Sequence, residues 1–110
     1  MNWKPLQDEQ ALEAIKQASA TIPQVIFKHS TRCSISSMAK SRLDRSDAPE
    51  GVEFNFLDLI AYKSLSNKIA EDFSVHHESP QVLLIKNGEC VYDESHSGIS
   101  MDEIEEQVKK

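Results

Sequence analysis

The spacing of apolar and polar positions along this chain changes several times, and each change marks a new element. From Asp8, a residue suited to N-capping, apolar positions recur as Ala11, Leu12, Ile15 and Ala18. This is one face of an amphipathic helix, which Pro23 ends. Ahead of it, Trp3 and Leu6 are expected to anchor the N-terminal segment to the body. Residues 24–28, with Val25-Ile26-Phe27 at their heart, have the pattern of a strand buried on both faces. Helical spacing then returns through Ile35, Met38, Ala39 and Leu43 and predicts a second helix over 34–45.

Residues 46–51 have turn composition, after which Val52, Phe54 and Phe56 alternate with polar residues up to Leu57, a second strand. Leu65, Ile69 and Phe73 predict a helix over 64–73, opening on serines suited to capping. Residues 74–79 are polar. Pro80 follows, at the mouth of a strand over 81–86 whose four consecutive apolar residues make it central. Asn87-Gly88 is a strong hairpin signal, because both residues tolerate positive φ. The returning strand covers 89–93 and a loop 95–98. Ser100 and Glu103 form a capping box for a last helix that buries Met101, Ile104 and Val108.

The order is helix, strand-helix-strand, helix, hairpin, helix. The first two strands can run parallel through a right-handed crossover, and the hairpin adds antiparallel strands to the same sheet. The expected class is α/β: a three-layer sandwich with a mixed four-stranded sheet flanked by helices. That topology fits a thioredoxin-like fold. A chain of 110 residues suits one domain, 1–110, with a single core and no repeats or linkers. A formal charge of −6 argues against general nucleic-acid binding and against an anionic membrane surface. No apolar stretch approaches spanning length, and residues 1–5 lack a signal-peptide core, so a cytoplasmic location is expected; a monomer is expected separately. The two cysteines form no Cys-x-x-Cys pair, and a resting disulfide is not expected in a reducing compartment.

Candidate chemistry centres on Cys33, in a polar turn between the first strand and its helix. Unpaired N–H groups at a helix N-terminus favour thiolate over thiol, and Lys28, His29 and Arg32 can add to that field. A structural cysteine would more often sit inside the apolar run. In a thioredoxin-like fold this junction holds the nucleophilic cysteine. Ser36 stands three residues on, where a dithiol enzyme carries its resolving cysteine. It either hydrogen-bonds the Cys33 thiolate or is a tolerated first-turn residue. A Cys-x-x-Ser site takes up one sulfur partner and waits for an external thiol to release it.

Ser79-Pro80 is the second element, since a cis proline before the third strand of such folds faces the cysteine across the cleft. The residue before it offers backbone groups to an extended or thiol-linked substrate; an ordinary trans proline at a strand start is the alternative. His29 either assists or pairs with Cys33, or, the favoured reading, ends its strand at the surface. Cys90 is expected as a core or half-buried cysteine. His29, Cys33, His77 and Cys90 lack recognisable metal-ligand spacing, so no metal is expected.

With Cys33, Ser36 and Ser79-Pro80 in place, the sequence resembles the monothiol bacilliredoxin family. The likeness runs from Trp3 to the last helix, through Phe27-Lys28-His29-Ser30-Thr31-Arg32-Cys33-Ser34-Ile35-Ser36, Asp58-Leu59-Ile60-Ala61-Tyr62, Ser64-Leu65-Ser66-Asn67 and the stretch from His77 to Gly88. The resemblance implies a thiol-disulfide oxidoreductase acting on S-thiolated client proteins. Cys33 would take bacillithiol from a mixed disulfide, and a second small thiol, bacillithiol or one like it, would regenerate it. That thiol is a co-substrate, and no permanently bound cofactor is implied. Arg32, Ser34, Ser79 and Pro80 would line the substrate site. Ser34 replaces the proline usual after the cysteine, where proline would stiffen the turn and remove an N–H. The alternative is a non-catalytic redox-sensing or adaptor module that uses the same groove for partner binding.

Overall fold

A computed structural model describes all 110 residues. The elements are β1 (Trp3–Pro5), α1 (Glu9–Ala18), β2 (Gln24–His29), α2 (Ser34–Arg45), β3 (Glu53–Asp58), α3 (Lys63–Phe73), β4 (Gln81–Lys86), β5 (Glu89–Ser95) and α4 (Met101–Lys109), with a 3₁₀ turn at His96–Gly98. The strands form one mixed sheet in the order β1-β3-β2-β4-β5. β1 and β2 run parallel to β3, while β4 is antiparallel to both β2 and β5.

The sheet has five strands where the pattern predicts four. The addition is β1, three residues that pair Trp3 with Phe54 and Pro5 with Phe56 at the sheet edge. Proline is tolerated there because an edge strand needs only one ladder. The expected anchoring by Trp3 and Leu6 takes this form, and Leu6 is fully buried.

Strand alternation sends side chains to two separate cores. On one face Ile26, Leu57, Leu83 and Ile85 pack with Leu12 and Ile15 of α1 and Leu65, Ile69 and Phe73 of α3. On the other, Val25, Phe27, Phe54, Val82 and Leu84 meet Ala39 and Leu43 of α2 and Met101 and Ile104 of α4. Val108 is only partly buried, as are Ala11 and Ala18.

Asp8 caps α1 as expected, accepting from Ala11 N–H at 2.8 Å. The box at α4 is half formed. Ser100 Oγ accepts from Glu103 N–H, but the Glu103 carboxylate accepts from Gln107 instead of reaching back. The α3 serines do not cap, because the helix begins one residue earlier and Tyr62 occupies the N-cap. In α2, Ile35 and Met38 are exposed while Ser36, Ala39 and Leu43 face the sheet. Met38 lies five residues from Leu43, about 140° around the helix. Asn87 and Gly88 both adopt positive φ in the hairpin, whose backbone N–H groups are caught by Ser19 O and Ser19 Oγ.

Candidate active site

Four segments meet at the end of the sheet where β2 finishes. Lys28 pairs with Gln81, so Pro80 enters β4 beside the last residues of β2. The Ser79–Pro80 peptide bond is cis. Leu59 N–H donates to His29 O, which draws in the loop after β3, and His96 N–H donates to Pro80 O, which draws in the 3₁₀ turn. Arg42 on α2 donates to Ile99 O just beyond that turn.

Cys33 occupies the N-cap position of α2, with extended backbone, and Ser37 N–H donates to its carbonyl at 3.0 Å. The sulfur is free and the residue half-buried. Thr31, Arg32 and Ser34 around it are exposed. Ser79 is partly buried and its hydroxyl has no partner, while Pro80 is buried.

Ser36 and His29 depart from the sequence reading. Ser36 is fully buried, and its hydroxyl turns to the strand rather than to Cys33. It accepts from Ser30 N–H at 3.0 Å and lies 2.6 Å from His29 Nδ1. The helical stripe Ser36–Ala39–Leu43 faces the sheet, which points this side chain away from solvent. His29 does not end its strand at the surface; only 6% of it is exposed. Its ring stacks on Phe27 at 5.8 Å and tilts against Phe56 at 5.4 Å. Burial first, and then the Lys40 ammonium, lower its pKa, against smaller opposing effects of Asp58 and Asp44.

Lys28 was expected to strengthen the field at Cys33, yet alternation sends it to the opposite face of the sheet. It is fully buried, donating from Nζ to Ser66 O at 3.1 Å and to His77 Nδ1 at 3.3 Å. Sequence reasoning assigned no role to Ser66 and placed His77 in the polar approach to Pro80, weighing it only as a metal ligand. The available signal was period two: a residue between Phe27 and His29 must face the α1/α3 layer.

Cys90 lies half-buried in β5, opposite Ile85. Its thiol donates to Tyr92 O at 3.3 Å, and burial pushes its pKa up to about 11. From Gln81, beside the end of β2, to Ile85 is four residues, roughly 13 Å along the strand. Cys90 therefore sits towards the hairpin end, out of disulfide reach of Cys33. No three His, Cys, Asp or Glu side chains converge as a set of metal ligands.

The profile of the family "Monothiol bacilliredoxin BrxC" matches residues 4–104, nearly the whole length of the chain. The chain belongs to the monothiol bacilliredoxin family. The solved structures it is similar to agree on the fold. One, described as a candidate oxidoreductase with a thioredoxin fold, is 26% identical with a TM-score of 0.81, covering 94% of this chain and 91% of that one. Thioredoxin from Fasciola hepatica is 18% identical with a TM-score of 0.72, covering 96% of each chain. Thioredoxin from Malassezia sympodialis (Mala s 13) is 12% identical with a TM-score of 0.73, covering 98% and 89%. This bacilliredoxin-family member is thus a thioredoxin-like redox protein. No helix in it is long and apolar enough to cross a membrane.

Proposed function

We propose that the protein reduces mixed disulfides between protein thiols and a small thiol of the bacillithiol kind, with Cys33 as sole nucleophile. The observation that carries this reading is the isolation of Cys33. Ser36 holds the resolving position with its hydroxyl committed to His29 and Ser30, and Cys90 is far along the sheet. A thiolate with no internal partner must pass its disulfide to an external thiol.

In the first step, Cys33 Sγ attacks the small-thiol sulfur of protein–S–S–R. The S–S bond breaks, the protein sulfur leaves as thiolate and takes a proton, and Cys33–S–S–R remains. In the second, a small thiolate RS⁻ attacks the R sulfur of that adduct, releasing RSSR and Cys33 thiolate. The second thiol supplies the electron pair, so the cycle needs no bound cofactor. Arg32, Ser34, Ser79 and Pro80 surround the substrate, and the exposed apolar side chains Ile35 and Met38 on α2 suit a protein client better than a free small disulfide.

The test uses a purified S-thiolated client with excess small thiol and sub-stoichiometric protein, following client thiol release. Multiple turnovers that Cys33→Ser abolishes and Cys90→Ser retains are expected. Release that stops at one equivalent, with Cys33 permanently thiolated, would replace the enzyme with a redox-sensing module.

A further inference from the structure

The segment between α3 and β4 is held in an unusual way. Ser74 ends α3 with φ 55°, and Val75 N–H returns to Ala70 O. From His76 to Ser79 the backbone joins in no backbone–backbone hydrogen bond. Two hydrogen-bonded side-chain clamps hold it instead, beside a 3.6 Å approach of Glu78 to His96 Nε2. The Gln81 amide donates to His76 O and accepts from Glu78 N–H, at 3.0 and 3.5 Å. The other clamp is His77, whose Nδ1 faces Lys28 Nζ at 3.3 Å and Ser66 Oγ at 3.4 Å.

The second clamp is built around a charge. Lys28 is fully buried and makes no ion pair with any carboxylate, so its ammonium depends on Ser66 O and His77 Nδ1 for partners. An ammonium only donates. His77 must therefore accept at Nδ1 and carry its proton on Nε2. Protonating His77 would set N–H against N–H and one cation against another.

We propose that Lys28 is a positioning residue for the reaction at Cys33: acting through neutral His77, it fixes the 74–80 segment that presents Ser79 and Pro80, and protonation of His77 releases that segment. The proposal rests on the functional reading above, in which this segment lines the substrate site. The groups facing His77 are Lys28 from β2, Glu78 and His76 from its own segment, and from α3 only the uncharged Ser66. Burial, and after it Lys28, lower the His77 pKa, with Glu78 opposing and His76 reinforcing. The clamp is accordingly closed at neutral pH and opens in acid.

The experiment pairs imidazole ¹⁵N NMR with steady-state kinetics on wild type, Lys28→Met and His77→Gln, from pH 5 to 8. In wild type, His77 should be the Nε2–H tautomer and titrate below an ordinary histidine. In Lys28→Met its midpoint should move up and the tautomers should mix. KM for an S-thiolated peptide at pH 7 should rise about fivefold in Lys28→Met, as expected for one lost hydrogen bond, with kcat little changed. The wild-type KM should climb in acid along the His77 titration, and His77→Gln, which keeps an acceptor but cannot titrate, should lose that acid limb. An Nδ1–H tautomer in wild type, an unmoved midpoint in Lys28→Met, or an unchanged KM each overturns the proposal. Absence of turnover at every pH overturns the functional reading and the reaction role with it, while the His77 midpoint decides separately whether the clamp exists.

Discussion

Replacing Lys28 with methionine should make the protein more stable at neutral pH. Methionine matches the lysine stem in length and needs no partner, so a fully buried position accepts it without overpacking. Burial lowers the Lys28 ammonium from 10.5 to about 8. At about 1.36 kcal/mol for each pH unit, that interval corresponds to about 3 kcal/mol against the folded state. The direction follows from proton counts. Below pH 8 both states hold the proton and the full cost is present. Between about 8 and 10.5 the unfolded chain keeps a proton that the folded chain has lost, so stability rises with pH. Above 10.5 the cost is gone.

Methionine also forfeits the hydrogen bonds to Ser66 O and His77 Nδ1, together worth about 2 kcal/mol, while Ser66 Oγ remains beside that nitrogen. The net gain is about 1 kcal/mol at pH 7, falling to a loss of about 2 kcal/mol above pH 10.5. Urea unfolding followed by far-ultraviolet circular dichroism at pH 7, 8, 9 and 10 reads this as a midpoint raised by about 0.5 M at pH 7. Cys90 and Tyr92, pushed up to about 11 and about 12, withdraw stability over an overlapping alkaline range. Only the difference between variant and wild type isolates the lysine. A variant less stable than wild type at pH 7, or a gain that ignores pH, would refute the reasoning.

Two further outcomes follow from the site. Ser36→Ala leaves His29 Nδ1 and Ser30 N–H without their buried partner, and should cost about 2 kcal/mol in thermal or urea unfolding; a loss below about 0.5 kcal/mol would mean that water replaces the hydroxyl. Iodoacetamide at pH 8 should modify Cys33 in the folded protein and spare Cys90, whose thiol is raised to about 11, until denaturant is added; mass spectrometry of the peptides decides it, and Cys90 labelled in the native state would contradict its environment.

The junction at Cys33, the α2 limits, the Asn87-Gly88 hairpin and the strand behind Pro80 could all be read from the sequence, because each has a local cause. A proline, a glycine or a change of period acts within a few residues. What escaped reading depends on distant partners. β1 is too short for any periodicity, and only the ladder with Phe54 and Phe56 makes it a strand. Ser36 is polar by composition, yet its place on the stripe with Ala39 and Leu43 buries it, while the more apolar Ile35 and Met38 stay outside. His29 looked like a strand end at the surface because nothing nearby in the chain announces the Phe27 and Phe56 rings that enclose it. Lys28 reads from the sequence as part of the positive field at Cys33, since its two actual partners lie 38 and 49 residues away.

Trp3 is the sole tryptophan of the chain, and its surroundings give it a use unrelated to packing. Its ring stacks on Phe27 at 5.5 Å, Phe27 stacks on His29, and its indole N–H donates to Asp44 near the end of α2 at 2.7 Å. The same side chain therefore touches the strand that leads to Cys33 and the helix that follows it. Its fluorescence is a built-in optical gauge of how the helix that starts at Cys33 sits against the sheet, needing no label and disturbing neither cysteine.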